Sequence, residues 1–225
     1  MKFVHTIPNV TIIKPKKSFR DVLQKYGYPV VSKEEAQKIN EARRTKSKKL
    51  RKLRLGTGRH AIPKKWRYLL DAPFQISERC CYWLKKAPAA KYEKETGRKM
   101  FLGEMASEGQ ARRQKYLRYG CNAYDVKRPR SCPLGIWTEE DVWAYIKQEE
   151  VEISPVYSMG YTRTGCIFCG FGVHLEKPPN RFERLYKTHP KLWKYCMEKL
   201  GMRKVLDYMD IPVGAKSTTK EPLSR

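Results

Sequence analysis

Apolar residues fall in short groups along this chain, and the polar residues between them set the expected elements. "NVTIIKP", beginning at Asn9, is a β-branched run closed by proline and predicts a buried strand. In "SFRDVLQKYG", Phe19, Val22, Leu23 and Tyr26 recur at helical spacing, with Ser18 and Asp21 as a capping box and Gly27 as the stop. Strand followed by helix is the rhythm of an α/β fold. Ser32 with Glu35 opens a second helix that is expected to run into the basic segment beyond it. "KMFLGEMASEGQARR" reads as a strand ending near Leu102, a polar loop, and a helix from about Gln110. Thr138 with Asp141 opens another helix in "WTEEDVWAYIKQ". Beyond Val151 proline and glycine surround "GCIFCGFG", and two further helices divide at Pro190. The final "KSTTKEPLSR" reads as a frayed tail. The expected organisation is an α/β core over residues 1–150, then a CxxC loop and C-terminal helices over 151–225.

At 225 residues with 40% hydrophobic composition the chain can bury a real core, which excludes disorder throughout. The start lacks the apolar run of a signal peptide, and no stretch approaches the ~18 apolar residues of a membrane span, so a cytoplasmic protein is expected. Seven cysteines in that compartment point to metal binding or thiol chemistry rather than a disulfide framework. The formal net charge of +25 attracts polyanions. Between Arg43 and Arg67 stand twelve Lys and Arg and no acid, which reads either as a solvated surface or as a contact for nucleotide or nucleic acid. Among these residues Trp66 and nearby Tyr68 are better explained by core packing than by base stacking.

Cys166 and Cys169 frame a glycine-flanked turn whose sulfurs can converge, and their candidate partners are Cys80 with Cys81, or Cys121 with Cys132. The second pair lacks the short ligand spacing of structural zinc sites. Adjacent cysteines have Cα atoms about 3.8 Å apart and diverging side chains, which suits two thiolates reaching different irons. Cys80, Cys81, Cys166 and Cys169 are therefore expected to hold a 4Fe–4S cluster, with zinc as the alternative. Cys196, mid-helix in "LWKYCMEKL", is expected to be a buried structural thiol. His174 is either a neighbour of the metal site or an ordinary loop histidine, and Glu34-Glu35 and Glu139-Glu140 sit at helix starts, where they favour the dipole.

Tandem Cys80-Cys81, then 84 residues, then "CIFC" resembles the cluster signature of the phosphoadenosine phosphosulfate (PAPS) reductase family, in its adenylylsulfate-type members. "CCYWLKKAP", "GEMASEGQARR", "CPLGIWTEEDVWAYI" and "YTRTGCIFCG" extend the resemblance over most of the chain. It implies a partial Rossmann-like parallel sheet of the adenine nucleotide α-hydrolase (PP-loop) type with a helical, cysteine-bearing C-terminal region. It further implies that Lys85 tunes the cluster, that Arg163 stands beside it, that Arg112 and Arg113 bind the substrate anion, and that Trp137 and Trp143 serve packing. The implied activity is that of an oxidoreductase or sulfurtransferase acting on an adenylylated or sulfur-bearing nucleotide. Alternatives are a nucleic-acid sulfur-modifying enzyme, of the DNA phosphorothioation or tRNA thiolation kind, and a non-enzymatic metal-stapled nucleic-acid-binding protein. The family's Ser-Gly-Gly-Lys-Asp-Ser type phosphate loop does not occur in this sequence, so a separate polypeptide or oligomer partner carrying that portion is one expectation. The family's C-terminal nucleophile motif, Glu-Cys-Gly-x-His, has no counterpart after Cys196.

Overall fold

In a computed structural model, which describes residues 8–214, the chain is an α/β protein with short strands and many helices. The order is α1 (Phe19–Tyr26), β1 (Val30–Val31), α2 (Lys33–Arg44), α3 (Lys48–Leu55), α4 (Arg79–Cys81), α5 (Ala87–Thr96) and β2 (Met100–Phe101). There follow α6 (Gln110–Tyr119), β3 (Asn122–Ala123), β4 (Arg130–Ser131), α7 (Glu139–Gln148), β5 (Gly170–Phe171), α8 (Arg181–Thr188), α9 (Pro190–Lys194) and α10 (Met202–Tyr208). The chain divides into two compact units, one of residues 1–14 and 88–163, the other of residues 15–87 and 164–225.

The larger unit is built on a parallel pair, with Val30 opposite Gly170 and Val31 opposite Phe171, so segments far apart in sequence meet at β1 and β5. Its core packs Ile39, Ile62, Leu69 and Ile76 against Phe182, Met197, Met202 and Leu206. Helix starts follow their caps. The Ser18 and Asp21 box opens α1, and Asn180 accepts from the backbone N–H of Phe182 and Glu183 at the head of α8. Asn180 is itself buried, and its Nδ2 donates to the Pro212 carbonyl at 2.7 Å, which ties the chain after α10 to the start of α8. Trp193 Nε1 donates to the Val213 carbonyl at 2.7 Å and fastens the same segment.

The smaller unit carries a three-stranded sheet in the order β2-β4-β3, with β2 parallel and β3 antiparallel to β4. α7 is opened by Thr138 and Asp141 as expected, and Trp137 and Trp143 pack edge-on to Tyr145 and Tyr157. Little of this unit is apolar and buried: Ala123 and Cys132 are, whereas Phe101 is 80% exposed.

One expectation is corrected. The β-branched run from Asn9 forms no strand among the described residues, and Val10, Ile12 and Ile13 are 44%, 51% and 42% exposed. β-propensity expresses itself only against a neighbouring strand, and this segment has none. The helix opened by Ser32 runs into the basic segment as expected, through Arg43 and Arg44. It stops at Arg44, Thr45 turns extended, and Ser47 caps a separate helix, α3, by accepting from the Leu50 N–H. The closing tail lies outside the described residues.

Candidate metal centre

The four cysteines "CC" and "CxxC" belong to the larger unit, and two features of its backbone bring them there. The first is the return of the chain after α1. Gly27 sits at φ +104°, and the next residue pairs with the stretch before α4: Tyr28 N–H donates to the Gln75 carbonyl at 2.8 Å, and Ser77 N–H to the Tyr28 carbonyl at 3.1 Å. This bridge fixes the entry to α4, where Cys80 is buried and Cys81 half-buried. The second is the β1–β5 pair, which begins immediately after Cys169. A Cβ on Gly170 would stand 2.8 Å from the Pro29 carbonyl oxygen, so the close strand approach needs glycine there. The CxxC segment itself closes as a turn, Cys169 N–H donating to the Cys166 carbonyl at 3.0 Å.

The Cys80 thiol donates to Cys81 Sγ at 4.0 Å. That hydrogen bond holds the Cys81 thiol down at about 6, helped by the ammonium groups of Lys33 and Lys85 and opposed by burial. The same contact, then burial and the negative charge of Cys81 and Cys169, drives Cys80 strongly up. Burial also raises Cys169, against a hydrogen bond from the Phe171 backbone and the charge of Arg181. Lys85 lies in a wide π-helical turn, Tyr82–Lys86, between α4 and α5. Cys166 first, by charge and by hydrogen bond, and then Cys81 and Cys169 hold its ammonium above the usual lysine range. The four thiols and Lys85 thus form one electrostatic network. Among the described residues no three of His, Cys, Asp and Glu converge as a ready-made site for a single ion. Thiolates are soft donors, and four of them suit either zinc or an iron–sulfur cluster.

Two residues of this neighbourhood escaped the sequence reading. Arg181, first in α8, donates to the Cys169 carbonyl at 2.9 Å while its guanidinium is paired with Glu176. Lys33, first in α2, brings an ammonium group that lowers the Cys81 pKa. Neither carries a local signal, because each reaches the site only through the packing of its helix. His174 instead stacks edge-on to Trp66, 4.8 Å between ring centres, and burial lowers its pKa with Lys65 assisting. Cys196 is fully buried in the core, which pushes its thiol up to about 12.

In metal-free protein, thiolate reactivity should follow these environments. Cys81 is expected to be alkylated first, its rate rising with pH through about 6, and Cys196 last, as mass spectrometry of iodoacetamide-treated protein would show. Equal labelling of the two at neutral pH would contradict the assignment.

The arginines expected to bind an anion belong to the smaller unit. Arg112, in the first turn of α6, is paired with Glu108, whereas Arg113 and Arg163 are exposed. Cys121 and Cys132 lie in the same unit, in facing positions beside the β3–β4 pair, where Cys132 N–H donates to the Cys121 carbonyl at 2.6 Å. They are therefore not in the unit that holds Cys166 and Cys169.

Adenosine 5'-phosphosulfate reductase of Burkholderia cepacia is 29% identical over 99 residues, covering 42% of this chain and 37% of the relative. The enzyme of the same name from Bacillus pumilus is 32% identical over 94 residues, 40% of this chain and 37% of the relative. In Staphylococcus epidermidis the corresponding enzyme is 40% identical over 43 residues, 19% of this chain and 18% of the relative. The match therefore spans less than two fifths of the length of these relatives. No solved structure matches. The sequence profile of the phosphoadenosine phosphosulfate reductase domain matches residues 7–170, well over half of the chain, and this protein belongs to that family.

Proposed function

We propose that this chain is an iron–sulfur protein of the sulfonucleotide reductase kind, acting on an adenylylated or sulfur-bearing nucleotide. The observation that carries the reading is the network of Cys80, Cys81, Cys166 and Cys169 around the Lys85 ammonium. The relatives named adenosine 5'-phosphosulfate reductase supply the substrate class.

The four thiolates would hold a 4Fe–4S cluster, which supplies a polarising, redox-capable centre when bound. Lys85 offsets the negative charge that four thiolates concentrate there, and so raises the electron affinity of whatever they bind. Arg181 fixes the Cys169 carbonyl and with it the CxxC turn. The Cys80 thiol, assisted by Lys33 and Lys85, holds Cys81 ionised and therefore ready to ligate. Arg113 and Arg163 present exposed guanidinium groups for forked hydrogen bonds to phosphate or sulfate, and Arg112 joins them on release from Glu108. Cys196, buried and with a raised pKa, is not the nucleophile of such a reaction.

Anaerobic purification followed by iron, sulfide and zinc analysis tests the cofactor, and saturable binding of adenosine 5'-phosphosulfate tests the substrate class. About four irons and four sulfides per chain with a broad visible band are expected. One zinc without sulfide would leave a zinc-stapled protein instead. A full cluster with no nucleotide binding would keep the cofactor and overturn the substrate.

A further inference from the structure

Of the twelve cations between Arg43 and Arg67, three serve the fold. Arg43 donates to the Phe74 and Ala72 carbonyls at 2.7 and 3.1 Å. Arg54 is paired with Glu41 and also donates to the His60 carbonyl. Arg67 caps the Gly56 carbonyl at 2.6 Å. The others are exposed, and among the described residues none of them has an acidic partner within ion-pair distance. Asp71 lines a hollow that Arg51 also lines.

α3 is where this excess is ordered. On a helical wheel Lys48, Lys49, Arg51 and Lys52 occupy one arc, and Leu50 with Arg54 occupy the opposite one. Arg54 is the side held to the protein by Glu41, so Lys48, Lys49 and Lys52 face away from it, with Arg51 and the half-buried Leu55 at the edge of the hollow. The helix buries no residue completely, and its first turn carries two lysines and no acid. Positive charge at a helix N-terminus opposes the macrodipole, and α3 gains no core packing that would compensate. An element that breaks a local rule without a packing gain is a mark of function.

We propose that the outer face of α3 is a docking surface for the phosphate backbone of a nucleic-acid duplex. The four side chains form a convex row, and α3 places no aromatic ring among them on which an unpaired base could stack. Trp66 is half-buried against the core, and Tyr68 stacks on Tyr208. A membrane surface is the poorer fit, since the side of the helix opposite the lysines is tied down and Leu53 is its exposed apolar residue. The surface makes no use of the cysteine network and stands or falls apart from it.

Fluorescence anisotropy of a labelled short duplex, with the holoprotein, tests this. Four phosphate contacts give a log–log salt slope of about −3.6, hence about 150-fold weaker binding at 200 mM than at 50 mM salt. Replacing Lys48, Lys49, Arg51 and Lys52 together by alanine preserves helix propensity. It is expected to weaken binding at low salt by at least about tenfold and to flatten the slope by about 3.6. The comparison variant removes the same charge elsewhere, at the exposed Lys187, Lys191, Lys194 and Lys199, and should bind nearly as wild type. Equal loss in the two variants would show a diffuse charge effect and overturn the proposal. So would tighter binding to phosphatidylserine vesicles than to duplex.

Discussion

On the proposed cluster assignment, Cys81→Ser protein purified without oxygen is expected to hold far less iron and sulfide than wild type purified in parallel, and to keep its circular dichroism. Cys81 is the thiol that the network most strongly ionises, through Cys80, Lys33 and Lys85. A serine hydroxyl stays protonated in the same place and binds iron poorly, so one corner of the ligand set fails. The fold should survive because Cys81 is half-buried and lies outside the core cluster. Cys196→Ser has the opposite profile: metal retained and stability lowered, because the hydroxyl would replace a sulfur enclosed by the core. Full metal retention in Cys81→Ser would sink the ligand assignment.

Gly27→Ala is expected to destabilise the protein by about 3 kcal/mol or more, a fall in Tm of roughly 6–12 °C for a chain of this size. Two costs combine at this position. The backbone is at φ +104°, where a side chain is strained, and a Cβ would stand 2.4 Å from both the carbonyl carbon and oxygen of Gln75. Relief requires opening the Tyr28–Gln75 and Ser77–Tyr28 hydrogen bonds that fix the entry to α4. Gly97→Ala separates the two costs, because φ there is +70° with nothing within 4 Å of the new Cβ. It should cost only the conformational part, about 1–2 kcal/mol. Thermal unfolding of both variants checks the difference, and equal shifts would mean that the approach to Gln75 is not the constraint.

Local chemistry was legible before any coordinates. Ser18 with Asp21, Ser32 with Glu35, and Thr138 with Asp141 each announce a helix through hydrogen bonds spanning three residues, and each helix starts where its cap stands. The same holds for Gly27 as a stop and Pro190 as a divider. What depends on distant partners was not legible. The run from Asn9 has strand composition and no strand, because pairing is decided elsewhere in the fold. Arg181 and Lys33 reach the cysteines only once α8 and α2 have packed, and nothing in their flanks distinguishes them from the other cations of this chain. The basic segment was visible as charge, but the sorting of Arg43, Arg54 and Arg67 into the fold required the carbonyls they satisfy.

The smaller unit leaves the larger one after Ala87 and returns at Thr164, close in sequence to Cys81 at one end and Cys166 at the other. A bridge between those two cysteines would close a ring of the 84 intervening residues. A cross-link of that span removes on the order of 4–5 kcal/mol of chain entropy from the unfolded state, by the loop-closure account. Loading of the cysteines would then act as a topological clasp, converting an excursion of the chain into a tethered loop whose ends can no longer drift apart.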